Sequence, residues 1–163
     1  MDGKDYSLSK SKKQELQKLQ KTQLDGLILA ADSIARDLNP KDAFKKGLII
    51  QSAKAVGLTP VRMLILSQLE RLVRAVNANR SFQTESDLQD AVDDILEIFP
   101  SLKVEEILLC FKYIRQGKYE LYGNLTTNTL IKCLHNYEIE HTVPLREQQH
   151  REQKPYVNGM IDW

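Results

Sequence analysis

An all-α fold is predicted by three features of this sequence. Apolar residues recur at three- and four-residue steps through most of its length, prolines fall at the borders of those runs, and no alternating run is bounded by hairpin turn signals. About six helices in a single compact bundle are expected, with a projecting N-terminal helix and a C-terminal tail. A chain of 163 residues, 42% apolar and 28% charged, can bury one core, and this balance excludes wholesale disorder. No apolar stretch approaches the ~18 residues of a membrane helix, and the lysine-rich start lacks the apolar core of a signal peptide. An intracellular protein is therefore expected.

The first helix is expected from Ser9 or Ser11 to Leu38, carried by Leu16, Leu19, Leu24, Leu27, Ile28, Ala31, Ile34, Ala35 and Leu38. Asn39-Pro40 ends it, because proline disfavours helical geometry in the residue before it. A second helix runs from Pro40 to Val56, with proline in the first turn and Gly57 as its C-terminal cap. Thr59-Pro60 opens a third, with Thr59 as its cap, Pro60 at the first helical position and Met63, Leu64, Leu66, Leu69, Leu72, Val73 and Val76 as its apolar residues. The polar stretch 77–81 is the candidate boundary between a helical half over residues 1–80 and a second over 81–143.

Thr84 or Ser86 caps the fourth helix, whose acidic Glu85, Asp87 and Asp90 suit the positive end of its dipole. Pro100 stops it and Ser101 caps a fifth, with Val104, Ile107, Leu108, Phe111 and Ile114 as the buried stripe. Thr126 or Thr127 caps the sixth, which carries Leu130, Leu134 and Tyr137 and decays into residues 141–144. Residues 144–163 form a polar spacer, either a solvated helix or a tail, followed by a short apolar segment. That segment holds Tyr156, Met160, Ile161 and the only tryptophan, Trp163, and reads as a docking peptide.

Residues 1–80 hold 15 Lys/Arg against 8 Asp/Glu, whereas residues 81–163 hold 8 against 14. The basic half can follow a phosphate backbone, or the two halves can simply attract each other. Lys10, Lys12 and Lys13 lead a lysine cluster at the start of the first helix. It is either a nucleic-acid arm acting by counterion release or a solvated helix end. Leu16 and Leu19 beside it suit oligomer or coiled-coil contact.

No nucleophile elbow, phosphate loop, dinucleotide fingerprint, zinc-protease helix or kinase signature is found, so no catalytic residue is assigned and an enzyme is not expected. Asp93-Asp94 and Glu105-Glu106 are adjacent pairs that point in different helix directions and read as solvated surface. Cys110 and Cys133 read as buried free thiols. With His135 and His141 they supply zinc-ligand types, but the two-residue step from Cys133 to His135 divides those side chains between helix faces, so no metal or other cofactor is expected.

The densest functional signal is Gly117-Lys118-Tyr119-Glu120-Leu121-Tyr122-Gly123, a shaped loop between two apolar helices. Lys112, Arg115, Lys118, Tyr119 and Tyr122 combine cations with aromatic faces, as single-strand nucleic-acid sites do. The tyrosines can equally pack the loop down, with their hydroxyls on backbone partners. A helix, a G-K-Y-x-x-Y-G loop, then a helix ending in Y-x-x-E (Tyr137 to Glu140) resembles small uncharacterised all-α proteins of phages and conjugative elements of gut bacteria, over residues 85–152. The resemblance implies a place in mobile-element DNA metabolism or phage biology, in the host cytoplasm or in a virion, and implies no reaction.

The expectation is thus a non-catalytic accessory protein that binds DNA or a DNA-replication protein, with no membrane and no small-molecule substrate. A structural or assembly role in a phage particle, through Leu16, Leu19 and Trp163, is the alternative, with a homo-oligomer or virion proteins as partners. Inhibition of host defence leaves no signature in the sequence.

Overall fold

In a computed structural model of the protein, the residues described are 14, 22, 38–47, 50 and 57–153. The helices are α1 (Pro40–Lys46), α2 (Thr59–Val76), α3 (Glu85–Ile98), α4 (Val104–Arg115), α5 (Thr127–Tyr137) and α6 (Val143–Gln153), with a π-helical segment, Glu138–Thr142, between the last two. The described residues contain no strand, only a parallel bridge between Arg80 and Asn124. Because α5, the π segment and α6 run on as one rod, the described residues form five continuous helical rods, against the about six helices expected of the whole chain. The first expected helix, with Lys10, Lys12, Lys13, Leu16 and Leu19, lies outside the described residues, as do Tyr156, Met160, Ile161 and Trp163. No helix of the described residues is long and apolar enough to cross a membrane.

Local chemistry sets most of the helix starts. Asn39 caps α1 by accepting the Asp42 N–H at 2.8 Å, with Pro40 in the first turn where a missing N–H costs nothing. Thr84 and Asp87 form a reciprocal capping box on α3, and Thr126 accepts the Thr129 N–H on α5. Two expected caps are corrected. Thr59 is the first helical residue of α2, which begins without a side-chain cap, and α4 begins at Lys103, not Ser101, with Glu106 reaching back to the Lys103 N–H at 2.9 Å.

The expected second helix is interrupted, because α1 stops at Lys46 and Gly47 turns extended at φ −72°, ψ 160°; Ile50 is helical again, and residues 51–56 lie outside the described residues. A Cβ on Gly47 would collide with the Ala43 carbonyl oxygen, the Glu105 carboxylate and Lys103 Cβ, so glycine here allows the chain to press against the start of α4. Gly57 has φ 125°, but the helix end it was expected to cap lies outside the described residues.

The sixth helix does not decay at residues 141–144. Pro144 has no N–H for the Glu140 carbonyl, and its ring would strike that carbonyl in a regular α-helix. The chain answers with the π segment, in which the Val143 N–H donates to the Glu138 carbonyl five residues back, and α6 then continues to Gln153. The spacer is therefore a solvated helix over these residues, with no buried side chain.

Helix α4 lies at the centre. It packs on α1, α2 and α5, while α2 also packs on α3, and the π segment packs on α1. Every residue from Val104 to Phe111 is buried as a result, and buried side chains from Ala43 to Tyr137 form one hydrophobic cluster. On α2 the buried stripe is Val61, Leu64, Ile65, Gln68, Leu69 and Leu72. Met63 points away from it and is 66% exposed, a correction to its expected place among the packing residues.

Candidate functional site

The glycine loop opens with a helix stop. Gly117 has φ 77°, its N–H donates to Ile114 O, and the Lys118 N–H donates to Tyr113 O, both at 3.0 Å. These two bonds are the paired closure of a Schellman motif, which needs a left-handed residue and therefore favours glycine. Such stops bring the residue after the glycine onto the helix three residues from its end. Here Lys118 places its Nζ 3.8 Å from the centre of the Tyr113 ring.

A second turn follows. The Asn124 N–H donates to Leu121 O at 3.0 Å across Tyr122 (φ 53°) and Gly123 (φ 76°), and two positive φ angles make this a type I′ turn. Hydrogen bonds from the Arg80 N–H to Gly123 O (3.1 Å) and from the Leu125 N–H to Arg80 O (2.7 Å) fasten the turn to the segment after α2. Asparagine or glycine is the favoured residue at the position of Tyr122, because a side chain in the left-handed region crowds the backbone by roughly 1 kcal/mol. Tyr122 is nevertheless 85% exposed, so no burial repays the strain.

Between the ends of α2 and α4 and this loop lies a cleft of about 460 Å³, walled by Asn77, Asn79, Arg115, Tyr119, Glu120 and Tyr122 among others. Of the loop residues singled out from sequence, Arg115, Tyr119 and Tyr122 meet there. Lys118 is held over Tyr113, and Lys112 is half-buried and engaged, as is Arg115. Tyr119 packs against the core, but its buried hydroxyl finds no partner, contrary to the expected backbone bond, and burial pushes its pKa well up. The cleft also receives the carboxyl ends of two helices, whose partial negative charge opposes a phosphate. Lys112 and Lys118 are not among the residues that line this cleft.

Three other readings are corrected or sharpened by the packing. Glu105 and Glu106 are buried at 7% and 1% exposure instead of being solvated. Glu106 accepts from the Thr142 hydroxyl at 2.8 Å and from the Lys103 N–H, and burial raises its pKa against the lowering effects of those bonds and of Arg146 and Lys103. The signal available in the sequence was the capping-box spacing of Lys103 and Glu106. Asp93 is exposed as expected and pairs with Arg62 at 2.8 Å, joining α3 to α2 with a bridge worth under ~1 kcal/mol.

Cys110 and Cys133 are buried free thiols, the first pushed far above the usual thiol range by burial and the second to about 11. Neither is poised as a nucleophile. His135 lies on Phe99 with ring centres 4.8 Å apart, and His141 lies on Tyr137 at 4.9 Å, its pKa lowered by burial and by Lys118 against an opposing pull from Glu140. Among the described residues no three His, Cys, Asp or Glu side chains are grouped to hold a metal. No protein-family model matches the sequence, and no curated protein or solved structure is significantly similar to it.

Proposed function

We propose that this is a non-catalytic accessory protein of a phage or mobile element, a single compact helical bundle that docks on a DNA-handling protein through the Tyr122 turn. The single observation that carries the docking is Tyr122 itself, a large aromatic held in a strained, fastened turn and left exposed. Strain without packing return is the signature of a contact residue, and tyrosine is enriched where interfaces concentrate their energy. The resemblance around the G-K-Y-x-x-Y-G loop supports the mobile-element setting. The carboxyl ends of α2 and α4 behind the turn favour a basic protein surface over bare phosphates as its partner.

Tyr122→Asn tests the docking in two directions. Asparagine tolerates the left-handed region, so the variant is expected to melt about 2–4 °C higher. Loss of the contact is expected to cost about 2 kcal/mol, some thirtyfold in affinity for the protein that copurifies from the native host. Undiminished recovery of that protein by the variant would dismiss the reading.

The lysine-rich start is proposed to add DNA affinity without sequence preference. Titration of a labelled duplex and a single strand at two salt concentrations is expected to show binding that weakens steeply with salt. Replacing Lys10, Lys12 and Lys13 together by glutamine is expected to weaken it for all sequences alike. Absence of binding at low salt would shift the reading to virion assembly.

A further inference from the structure

We infer that the cleft between α1, the start of α4 and α6 is a nucleotide-phosphate site, separate from the Tyr122 turn. The cleft has a volume of about 630 Å³, within the range of ligand pockets, and its lining includes Phe44, Lys45, Ser101, Lys103, Arg146 and Gln149. Lys45 lies in the last turn of α1, Lys103 precedes α4 and Arg146 lies in α6, so three separate elements contribute a cation to the lining.

Burial lowers the Lys103 pKa, the charges of Glu106 and then Glu105 oppose that, and Arg146 adds a smaller lowering, as convergent like charges do. No carboxylate stands within ion-pair distance of Lys45 or Lys103 among the described residues. The Arg146 Nη2 is shut off from water without a hydrogen-bond partner, its nearest carboxylate contact being Glu138 Oε2 at 3.8 Å. Glu106 turns its oxygens to the Thr142 hydroxyl and the Lys103 N–H, so it acts on Lys103 and Arg146 through its charge and not through an ion pair. A bound anion would add a counter-charge beside Lys45, Lys103 and the exposed part of the Arg146 guanidinium.

The rest of the lining suits a nucleoside better than a bare ion. The Phe44 ring lies 6.0 Å from Lys103 Nζ, offering a face on which a base stacks beside a phosphate-binding cation. Ser101, Gln148 and Gln149 offer donors and acceptors to its edges. Glu152 at the rim is the one acidic lining residue and disfavours a ligand of high charge there. The shared chemistry is one nucleotide phosphate with its base, supplied either by a free nucleotide or by a nucleotide of a single strand.

Calorimetric titration of the full chain with ADP, a thymidine oligonucleotide and inorganic phosphate is the test. ADP or the oligonucleotide is expected to bind at one site, more tightly than inorganic phosphate, and the tighter of the two identifies the source. Lys103→Gln and Arg146→Gln are each expected to weaken that binding at least tenfold, and Phe44→Ala to bring the affinity down towards that of inorganic phosphate. Lys45→Gln changes an exposed end of α1 and serves as the variant least able to disturb folding, with a several-fold loss expected. Tyr122→Asn is expected to bind as the parent does, which separates this site from the docking turn. Absence of binding by all three probes at low salt, or binding untouched by Lys45→Gln, Lys103→Gln and Arg146→Gln in folded protein, would overturn the assignment.

Discussion

Gly47→Ala is expected to destabilise the protein by on the order of 3 kcal/mol, although glycine's conformational freedom is not needed there. The backbone at Gly47 is extended, with φ −72° and ψ 160°, a geometry alanine adopts freely. Space is what is missing. The added Cβ meets the Ala43 carbonyl, which also accepts the Gly47 N–H at 3.2 Å, and Lys103 Cβ, which is fixed by the start of α4. The Glu105 carboxylate can swing away, but backbone and Cβ atoms cannot, so α1 must move off α4. Ala43, fully buried in α1, would lose its packing with that movement. Urea unfolding of parent and variant provides the check, and a cost below about 1 kcal/mol would show that the approach of α1 to α4 is loose.

Glu106→Leu is expected to cost about 3 kcal/mol, because it leaves the buried Thr142 hydroxyl and the Lys103 N–H without their acceptor. Thr142→Val added to that variant is expected to restore part of the loss. The double-variant cycle should therefore show coupling of about 1 kcal/mol or more, and simple additivity would contradict the bridge. Glu106→Gln keeps an acceptor without the charge and isolates the pH effect. Burial raises the folded-state pKa of Glu106 above its unfolded value, so the proton is held more tightly in the folded protein. Its favourable contribution is complete below the unfolded pKa and is lost as pH rises through the folded one. As pH rises from the ordinary carboxylate range through the raised folded-state pKa, the parent is expected to lose stability relative to Glu106→Gln, and a difference independent of pH would refute the linkage.

The fate of Lys118 shows where reading the chain stops. Gly117 was visible as a special position, and the Schellman closure that uses it involves only residues 113–118. Which way Lys118 then points depends on Tyr113, over whose ring its ammonium group is held. Tyr122 was named as an aromatic of the loop. Its exposure and left-handed φ, which make it the stronger candidate, follow from the fastening to Arg80, a residue more than forty positions earlier in the chain. The cationic cleft escaped notice altogether, since Lys45, Lys103 and Arg146 share no spacing that a motif could encode.

By itself the sequence determined the helical class, the stops at Pro100 and Gly117, and the caps at Thr84 and Thr126, each as one of two candidates. A cap joins groups three residues apart, and a stop acts on the turn that contains it, so the information is local. Tertiary structure alone decided that Glu105 and Glu106 are buried, that Met63 is exposed and that Gly47 has no room for a methyl group. Periodicity gives a helix one buried stripe, but α4 meets α1, α2 and α5 and is left with little solvent-facing side. The number of neighbours around a helix is a property of the assembled fold, and no segment of this chain carries it.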